Sequence, residues 1–573
     1  MSLLVGLCLS ILLAQPATIT PEARVESLLR GMSLEQKVGQ LMMVGFGGKK
    51  MGPKIHRLLQ SMHIGAAAIY SRNVRSLPQV AKLIRDIRKD FAGQVQPFIA
   101  VDQEGGNVVR MRSGVAVLPG AMTLGAARDP VLSYLAGQAH AVDLKLVGFD
   151  MNLAPVLDTN RNPKNPVINV RAFGDAPELV ADMGVAFCLG QQDAQLATVA
   201  KHFPGHGSTA HDSHFDLPTI SLNEEQLAAT ELKPFCRAIN AGLDALMTAH
   251  VQIPAIDPTG TPASLSHPII TGLLREKLGF DGVVITDDLE MRAVSGQMGV
   301  GKAAVKAVLA GADMVMVIWT SKRKKEVFRT LLAAAQDGTI PLARLDQSVR
   351  RILLLKARRG TLDSLAELEK RPGRILPNRR HQHIIRSIAA RGLTLVRNNK
   401  AILPICSGKG VLVAAPQRTF RRALQRLLPG SRAIPLKLVS SRAQRQKEFE
   451  RLREMASRYE LLVVGVTNVY QAWLVQKLYK STKIPMVVVS FGSPYLLRYF
   501  PKIPVYLCSF SYLAAAQRAA ARALVGKQSL TGRLPVRLSK RHPRGSGLTL
   551  RRGGCGRRPS TKRQTKALRG KAP

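Results

Sequence analysis

Between residues 41 and 319 the chain repeats one pattern eight times: a short run rich in Val, Ile, Ala and Met, then a longer amphipathic stretch. The runs fall at residues 41–46, 65–70, 97–102, 147–158, 198–202, 245–250, 282–287 and 312–319. Such alternation predicts βα units around a parallel sheet, whose strands are apolar throughout because both faces are covered. Eight units in roughly 280 residues match a (β/α)₈ barrel, for which ~250 residues is typical. A doubly wound open sheet is the alternative, but it usually has fewer strands, and no Gly-rich phosphate fingerprint follows the first run.

The polar residues that close these runs make the barrel informative. Asp102, Lys201 with His202, His250 and Asp287 each stand at the C-terminal end of a different run. In a barrel those ends share one face, where active sites are built.

A second α/β region begins near Arg391, with apolar runs at 392–396, 411–415, 461–466, 486–490 and 505–509. The expected organisation is a signal segment at 1–17, a (β/α)₈ catalytic barrel of TIM type at 22–360, a linker at 361–388, a smaller α/β sandwich domain at 389–540 and a basic disordered tail at 541–573. Residues 3–13 have the length of a signal-peptide core and are too short to span a bilayer, so export to the periplasm or the cell exterior is expected if that segment is cleaved, and a cytoplasmic protein otherwise.

The net charge of +45 is uneven, since no Asp or Glu follows Glu460. The tail implies nonspecific, salt-sensitive contact with anionic polymers; it interleaves no aromatic residue among its charges, so no specific nucleic-acid partner is expected. The six cysteines are widely scattered without CxxC spacing and suggest neither a disulfide framework nor a thiolate metal site.

Asp287 can attack an electrophilic carbon, hold a metal or, with Asp288, cap the helix expected from Leu289. His214 with Asp212 forms an imidazole–carboxylate pair able to move protons, and such a segment can equally be a solvated loop. His202, His206, His211 and His214 offer metal donors, but Pro204-Gly205 breaks the helix that would align His202 with His206, and the glutamate of the helical zinc motif is absent. No G-x-S-x-G elbow raises a nucleophilic serine.

Five ordered segments, Val101-Asp102-Gln103-Glu104-Gly105-Gly106, Arg171-Ala172-Phe173-Gly174, Lys201-His202-Phe203-Pro204-Gly205-His206-Gly207, Asp212-Ser213-His214 and Thr286-Asp287-Asp288-Leu289, resemble glycoside hydrolase family 3, in particular its bacterial β-N-acetylglucosaminidases. The resemblance implies that Asp287 is the nucleophile of a retaining hydrolysis, His214 the general acid/base and Asp212 its orienting partner. It further implies that Asp102, Arg110, Arg171, Lys201 and His202 hold the hydroxyls of the terminal sugar, with no cofactor and no metal.

Within that family the β-glucosidases draw a glutamate acid from the second domain. Here the only side-chain carboxylates after Ala390 are Glu448, Glu450, Glu454 and Glu460, in or beside one helix-like stretch, which leaves His214 as the acid. The expected substrate is a glycan with terminal β-linked N-acetylglucosamine, as in peptidoglycan fragments. A β-glucosidase or a phosphorylase of the same family, and a catalytically silent glycan-binding envelope protein, are the alternatives.

Overall fold

The computed structural model describes residues 20–210, 212–213, 216–363, 378–437 and 441–553. Eight parallel strands close a barrel: β1 Met42–Gly45, β2 Ala66–Ile69, β3 Phe98–Val101, β4 Met151–Asn152, β5 Ala197–Phe203, β6 Ala245–Thr248, β7 Val283–Asp288 and β8 Met314–Val317. Closure is direct, since β1 pairs in parallel with both β2 and β8. The strands are buried over nearly their whole length, with helices covering the outer face, which explains why they read as unbroken apolar runs. At the N-terminal face the buried polar groups act as ties: the fully buried Asp150 carboxylate accepts from Arg88 Nη2 at 2.6 Å and from the backbone N–H of Ile99 at 2.9 Å.

One strand is much shorter than its apolar run. Val147 ends the helix Pro130–Val147, and β4 covers only Met151–Asn152. Pro155 has no N–H to offer the ladder, and pairing resumes only as a bridge between Val156 and Lys201.

The second sheet has the order β11-β10-β12-β13-β14-β9, formed by β9 Thr394–Asn398, β10 Val411–Ala415, β11 Arg432–Pro435, β12 Leu461–Val466, β13 Met486–Ser490 and β14 Val505–Cys508. All pairings are parallel except β14 with β9. Helices Arg418–Leu427 and Ala514–Leu524 pack on one face through Phe420, Leu424 and Ala520. Helices Arg442–Ala456 and Val469–Thr482 cover the other through Leu452, Leu474 and Val475. The edge strand β11 was not expected: Arg432 and Pro435 are exposed and only Ile434 is buried, so no apolar run marks it.

Three expectations need correction. The linker expected at 361–388 contains most of a helix, Arg379–Arg391, whose Ile384, Ile385 and Ile388 pack against Leu124, Ala136 and Phe173 of the barrel domain. Its His381 Nδ1 lies 2.8 Å from Asp143 Oδ1. The tail expected to be disordered from 541 is held as far as Gly553: Leu548 donates its N–H to Leu395 at 2.7 Å, and Leu530 and Leu550 exchange backbone bonds at 2.8 and 3.1 Å. Arg544 pairs with Asp175. Among the cysteines, Cys406 is disulfide-bonded, whereas Cys188, Cys236 and Cys508 are free. The expected signal segment and residues 554–573 lie outside the described residues. Among the described residues, no helix is long and apolar enough to cross a membrane.

Candidate active site

The C-terminal ends of β3, β5 and β7 bring the expected residues to one place. Asp102 follows β3 directly, Lys201 and His202 belong to β5, and Asp287 is the penultimate residue of β7. Lys201, with a side chain only 4% exposed, places Nζ 2.7 Å from Asp102 Oδ1 and 2.7 Å from Glu104 Oε1. Arg110 Nη2 donates to the other oxygen of Asp102. Arg171, at the end of the one-turn helix Asn169–Arg171, forms a two-pronged pair with Glu104: Nε to Oε2 at 2.9 Å and Nη2 to Oε1 at 2.7 Å. Three cations thus converge on two carboxylates. Burial alone would push the Glu104 carboxyl up, but Arg171 and Lys201 outweigh it and hold it far below the usual carboxylate range. Burial likewise acts against the Lys201 charge, and Asp102 and Glu104 overrule it.

The loop from Asp102 to Arg110 is shaped from beneath. The buried Gln103 side chain accepts the N–H groups of Arg110 and Met111 through Oε1 at 2.7 and 2.9 Å and donates to the Met111 carbonyl at 2.9 Å. Gly105 takes φ +88°, and a Cβ there would lie 2.8 Å from the Leu118 carbonyl, so both the turn and the close approach require glycine.

His202 is fixed by Asp158, whose side chain is fully buried. Its Nδ1 lies 2.6 Å from Asp158 Oδ2, while Asp158 Oδ1 accepts the backbone N–H of His202 at 3.3 Å and of His206 at 2.8 Å. That arrangement defines the tautomer in the neutral ring and leaves Nε2 facing Arg171 Nη2 at 3.4 Å. Burial would raise Asp158; the His202 ring and these hydrogen bonds bring it below its ordinary value.

His206 anchors the loop that follows β5. Its Nδ1 meets Thr209 Oγ1 at 2.7 Å and its Nε2 meets Ser213 Oγ at 3.0 Å, while Asn165 Nδ2 donates to its carbonyl at 2.8 Å. Burial pushes its pKa down to about 4, so it is a neutral structural ring near pH 7. Asp212 stands on this loop, half-buried, with its carbonyl accepting the Asp216 N–H at 3.0 Å. His214, expected as the acid, lies outside the described residues, as does His211.

Asp287 and Asp288 are adjacent carboxylates with opposite tendencies. Burial acts to raise Asp287, but His250, His202, the Asp288 N–H at 2.8 Å and Lys201 together lower it, so it stands ionised. Burial carries Asp288 up to about 7, with Glu290 and Asp287 adding like-charge repulsion. Asp288 Oδ1 accepts the Glu290 N–H at 3.1 Å, closing a turn. Neither aspartate caps the following helix, Arg292–Met298, whose cap position is Met291. His250 supports this loop from below, its Nε2 3.1 Å from the Asp288 carbonyl and its Nδ1 2.6 Å from Ser264 Oγ. Asp287 thus stands ionised in a field of imidazoles and a buried ammonium that favours its charge, beside an Asp288 that holds its proton up to about pH 7.

Asp102, Arg110, Arg171, Lys201 and His202 therefore form one contiguous cluster, and Asp287 shares the field of His202 and Lys201. Glu104 and Asp158 were not assigned from the sequence, although each carried a signal: Glu104 sits within the Asp102 motif, and Asp158 closes an apolar run as Asp102 does. Among the described residues no group of three or more His, Cys, Asp or Glu is placed to hold a metal ion.

Three of the four side-chain carboxylates after Ala390 bond to neighbours within their own domain. Glu448 pairs with Arg451 at 2.7 Å and accepts the Lys437 N–H at 3.0 Å. Glu450 accepts from Gln446 at 2.8 Å, Glu454 pairs with Arg458 at 3.2 Å, and Glu460 packs on Gly410. The second domain meets the barrel instead through its backing of the Arg171 loop. Asn160 Nδ2 donates to Tyr495 Oη at 3.1 Å, Asp175 donates its N–H to the Pro535 carbonyl at 3.1 Å, and Arg537 donates its N–H to Asp175 Oδ2 at 2.7 Å.

A (β/α)₈ barrel with this carboxylate, imidazole and cation cluster at its C-terminal face has the makings of an enzyme of polar, hydroxyl-rich substrates. The glycosyl hydrolase family 3 N-terminal domain matches residues 33–355, and the chain belongs to that family. It is a glycoside hydrolase. A beta-hexosaminidase of Thioalkalivibrio sulfidiphilus is 36% identical over 324 residues, covering 56% of this chain and 89% of its own. Beta-hexosaminidase A of Pseudoalteromonas piscicida is 30% identical over 401 residues, 66% of each chain. A solved family 3 beta-N-acetylglucosaminidase from Paenibacillus sp. FPU-7 is 37% identical, with a TM-score of 0.82 over 89% of this chain and 99% of that one.

Proposed function

We propose that the chain is a retaining exo-β-N-acetylglucosaminidase that removes terminal β-linked N-acetylglucosamine from peptidoglycan fragments or related glycans. Asp102, Arg110, Arg171, Lys201 and His202 hold the terminal sugar. An oxygen of the ionised Asp287 attacks C1 as the bond from C1 to the leaving oxygen breaks, and His214, oriented by Asp212, gives that oxygen a proton. In the second step water attacks C1, its proton passes to His214, and the bond from C1 to Asp287 breaks with net retention.

The observation that carries this reading is the state of the second-domain carboxylates. A β-glucosidase of the family would need one of them as its acid; Glu448, Glu450 and Glu454 bond to side chains on or just past their own helix, and Glu460 stands at the N-terminal start of β12, beside Gly410. This supports taking the acid from the barrel, from the Asp212–His214 loop. The names of the similar β-hexosaminidases support the same sugar.

The test is the initial rate on p-nitrophenyl N-acetyl-β-glucosaminide beside the β-glucoside, with Asp287→Ala as control. A strong preference for the N-acetylated sugar, lost in the variant, is expected. A preference for the glucoside would remove the acid assignment from His214, and unchanged turnover in the variant would remove the nucleophile from Asp287.

A further inference from the structure

Trp319 lies just past the end of β8, and its side chain is large, apolar and 60% exposed. Scattered exposed apolar residues need no explanation, but this one is held in place from two sides. The Glu290 carboxylate, whose side chain is only 3% exposed, accepts the backbone N–H groups of both Trp319 and Thr320. The Arg72 guanidinium lies over the indole at 4.4 Å from its centroid. Arg72 is itself fixed, donating through Nε to the Phe46 carbonyl at 2.8 Å and through Nη2 to the Ile318 carbonyl at 2.6 Å. Tyr70, at the end of β2, completes the support with its ring centroid 5.5 Å from the indole at 57°.

These contacts join Trp319 to the sugar-holding cluster and to the nucleophile loop. Arg110, the partner of Asp102, lies over the Tyr70 ring at 5.1 Å. Glu290 lies on the turn that Asp288 closes, three residues beyond Asp287. One face of the indole is occupied by Arg72, so the exposed area belongs to the rest of the ring, at the rim of the site and on a rigid mount.

We propose that Trp319 is the platform for the sugar ring on the leaving-group side of the scissile bond, and so sets the preference for glycan over simple alkyl glycosides. This rests on the exo-glycosidase reading. The terminal residue is held by groups as deep as Lys201, so the part of the substrate left at the rim is the leaving group. The C–H face of a pyranose carries slight positive charge and suits the negative face of an indole, and a ring already fixed by Arg72 and Glu290 loses little freedom on binding.

The experiment compares wild type, Trp319→Ala and Trp319→Phe, all full length, on the β-1,4-linked N-acetylglucosamine disaccharide and on methyl N-acetyl-β-glucosaminide. Both leaving groups are alkoxides, and only the first has a ring. The ratio of kcat/KM for the disaccharide to that for the methyl glycoside is expected to fall roughly fivefold to tenfold in the Ala variant, mainly through KM, and to recover largely in the Phe variant. An unchanged ratio overturns the proposal, including the case where both activities fall together because the loop is damaged. The same ratio is measured with cellobiose and methyl β-glucoside. Wild-type activity confined to that pair would refute the N-acetylglucosaminidase reading while the platform is still judged by the ratio.

Discussion

Asp288→Asn gives the sharpest test of the electrostatics at the end of β7. Asp288 is 6% exposed, and its nearest acidic neighbours are Asp287 and Glu290. Burial raises its carboxyl from 3.8 to about 7. A carboxyl raised on folding binds more protons in the native state than in the unfolded chain, so its contribution to stability falls as pH rises between those values and is constant outside them. At 1.36 kcal/mol per pH unit, the ionisable side chain costs the native state ~4 kcal/mol above pH 7 and almost nothing below pH 4. Asparagine is neutral throughout and keeps the acceptor for the Glu290 N–H. Urea unfolding of both proteins at pH 5 and pH 8 should therefore show the stability of Asp288→Asn rising relative to wild type by about 3 kcal/mol between the two conditions. A difference between the proteins that stays the same at both pH values would refute a protonated Asp288 and remove the contrast with Asp287.

Other perturbations test the supporting groups. Glu104→Ala leaves buried Arg171 and Lys201 each short of a partner and should cost about 3–5 kcal/mol in urea unfolding, with Glu104→Gln costing less because it keeps an acceptor. Asp158→Ala releases the His202 ring and two backbone N–H groups; kcat/KM should fall on the order of 10²-fold through misplacement, while Asp158→Asn, which keeps the shape, should be milder. A chain ending at Leu538 loses the backbone pairing of Leu548 and Leu550 and should melt well below a chain ending at Gly553, which keeps it. Arg544→Ala in the full chain removes an ion pair with Asp175 and an exposed hydrogen bond to its carbonyl, both from a half-exposed arginine, and should shift stability by no more than ~1 kcal/mol.

The barrel was legible because each strand is buried on both faces, so period and sidedness did not have to be inferred. Where sequence reasoning missed, the deciding contact was distant or the signal was polar. Residues 147–158 form one apolar run, yet Gly148 caps a helix with φ +113° and Pro155 interrupts the ladder, leaving a two-residue strand. The helix Arg379–Arg391 was hidden by its charge, and its apolar stripe of Ile384, Ile385 and Ile388 is explained only by the barrel surface it meets. The residues of the site were legible as strand ends, but their supports were not. Asp158 reaches His202 across 44 positions of sequence, and Glu104 meets Arg171 across 67. Helix capping by Asp287 or Asp288 was a local expectation that a turn ending at Glu290 displaced.

The second domain's composition acquires a meaning from these contacts. Three of its four carboxylates, Glu448, Glu450 and Glu454, bond locally, and the fourth, Glu460, stands at the start of β12. What the domain does contribute is a backing for the Arg171 loop: Tyr495, Pro535 and Arg537 meet Asn160 and Asp175, on either side of the segment that carries Arg171. A loop so backed can hold a guanidinium against Glu104 without relying on its own short helix. The proton donor proposed above belongs to a different loop, the segment after β5, which His206 ties down through Thr209, Ser213 and Asn165. Because Ser213 stands between Asp212 and His214, the same anchor ties the segment of the proposed acid–base pair to the strand end that carries Lys201 and His202.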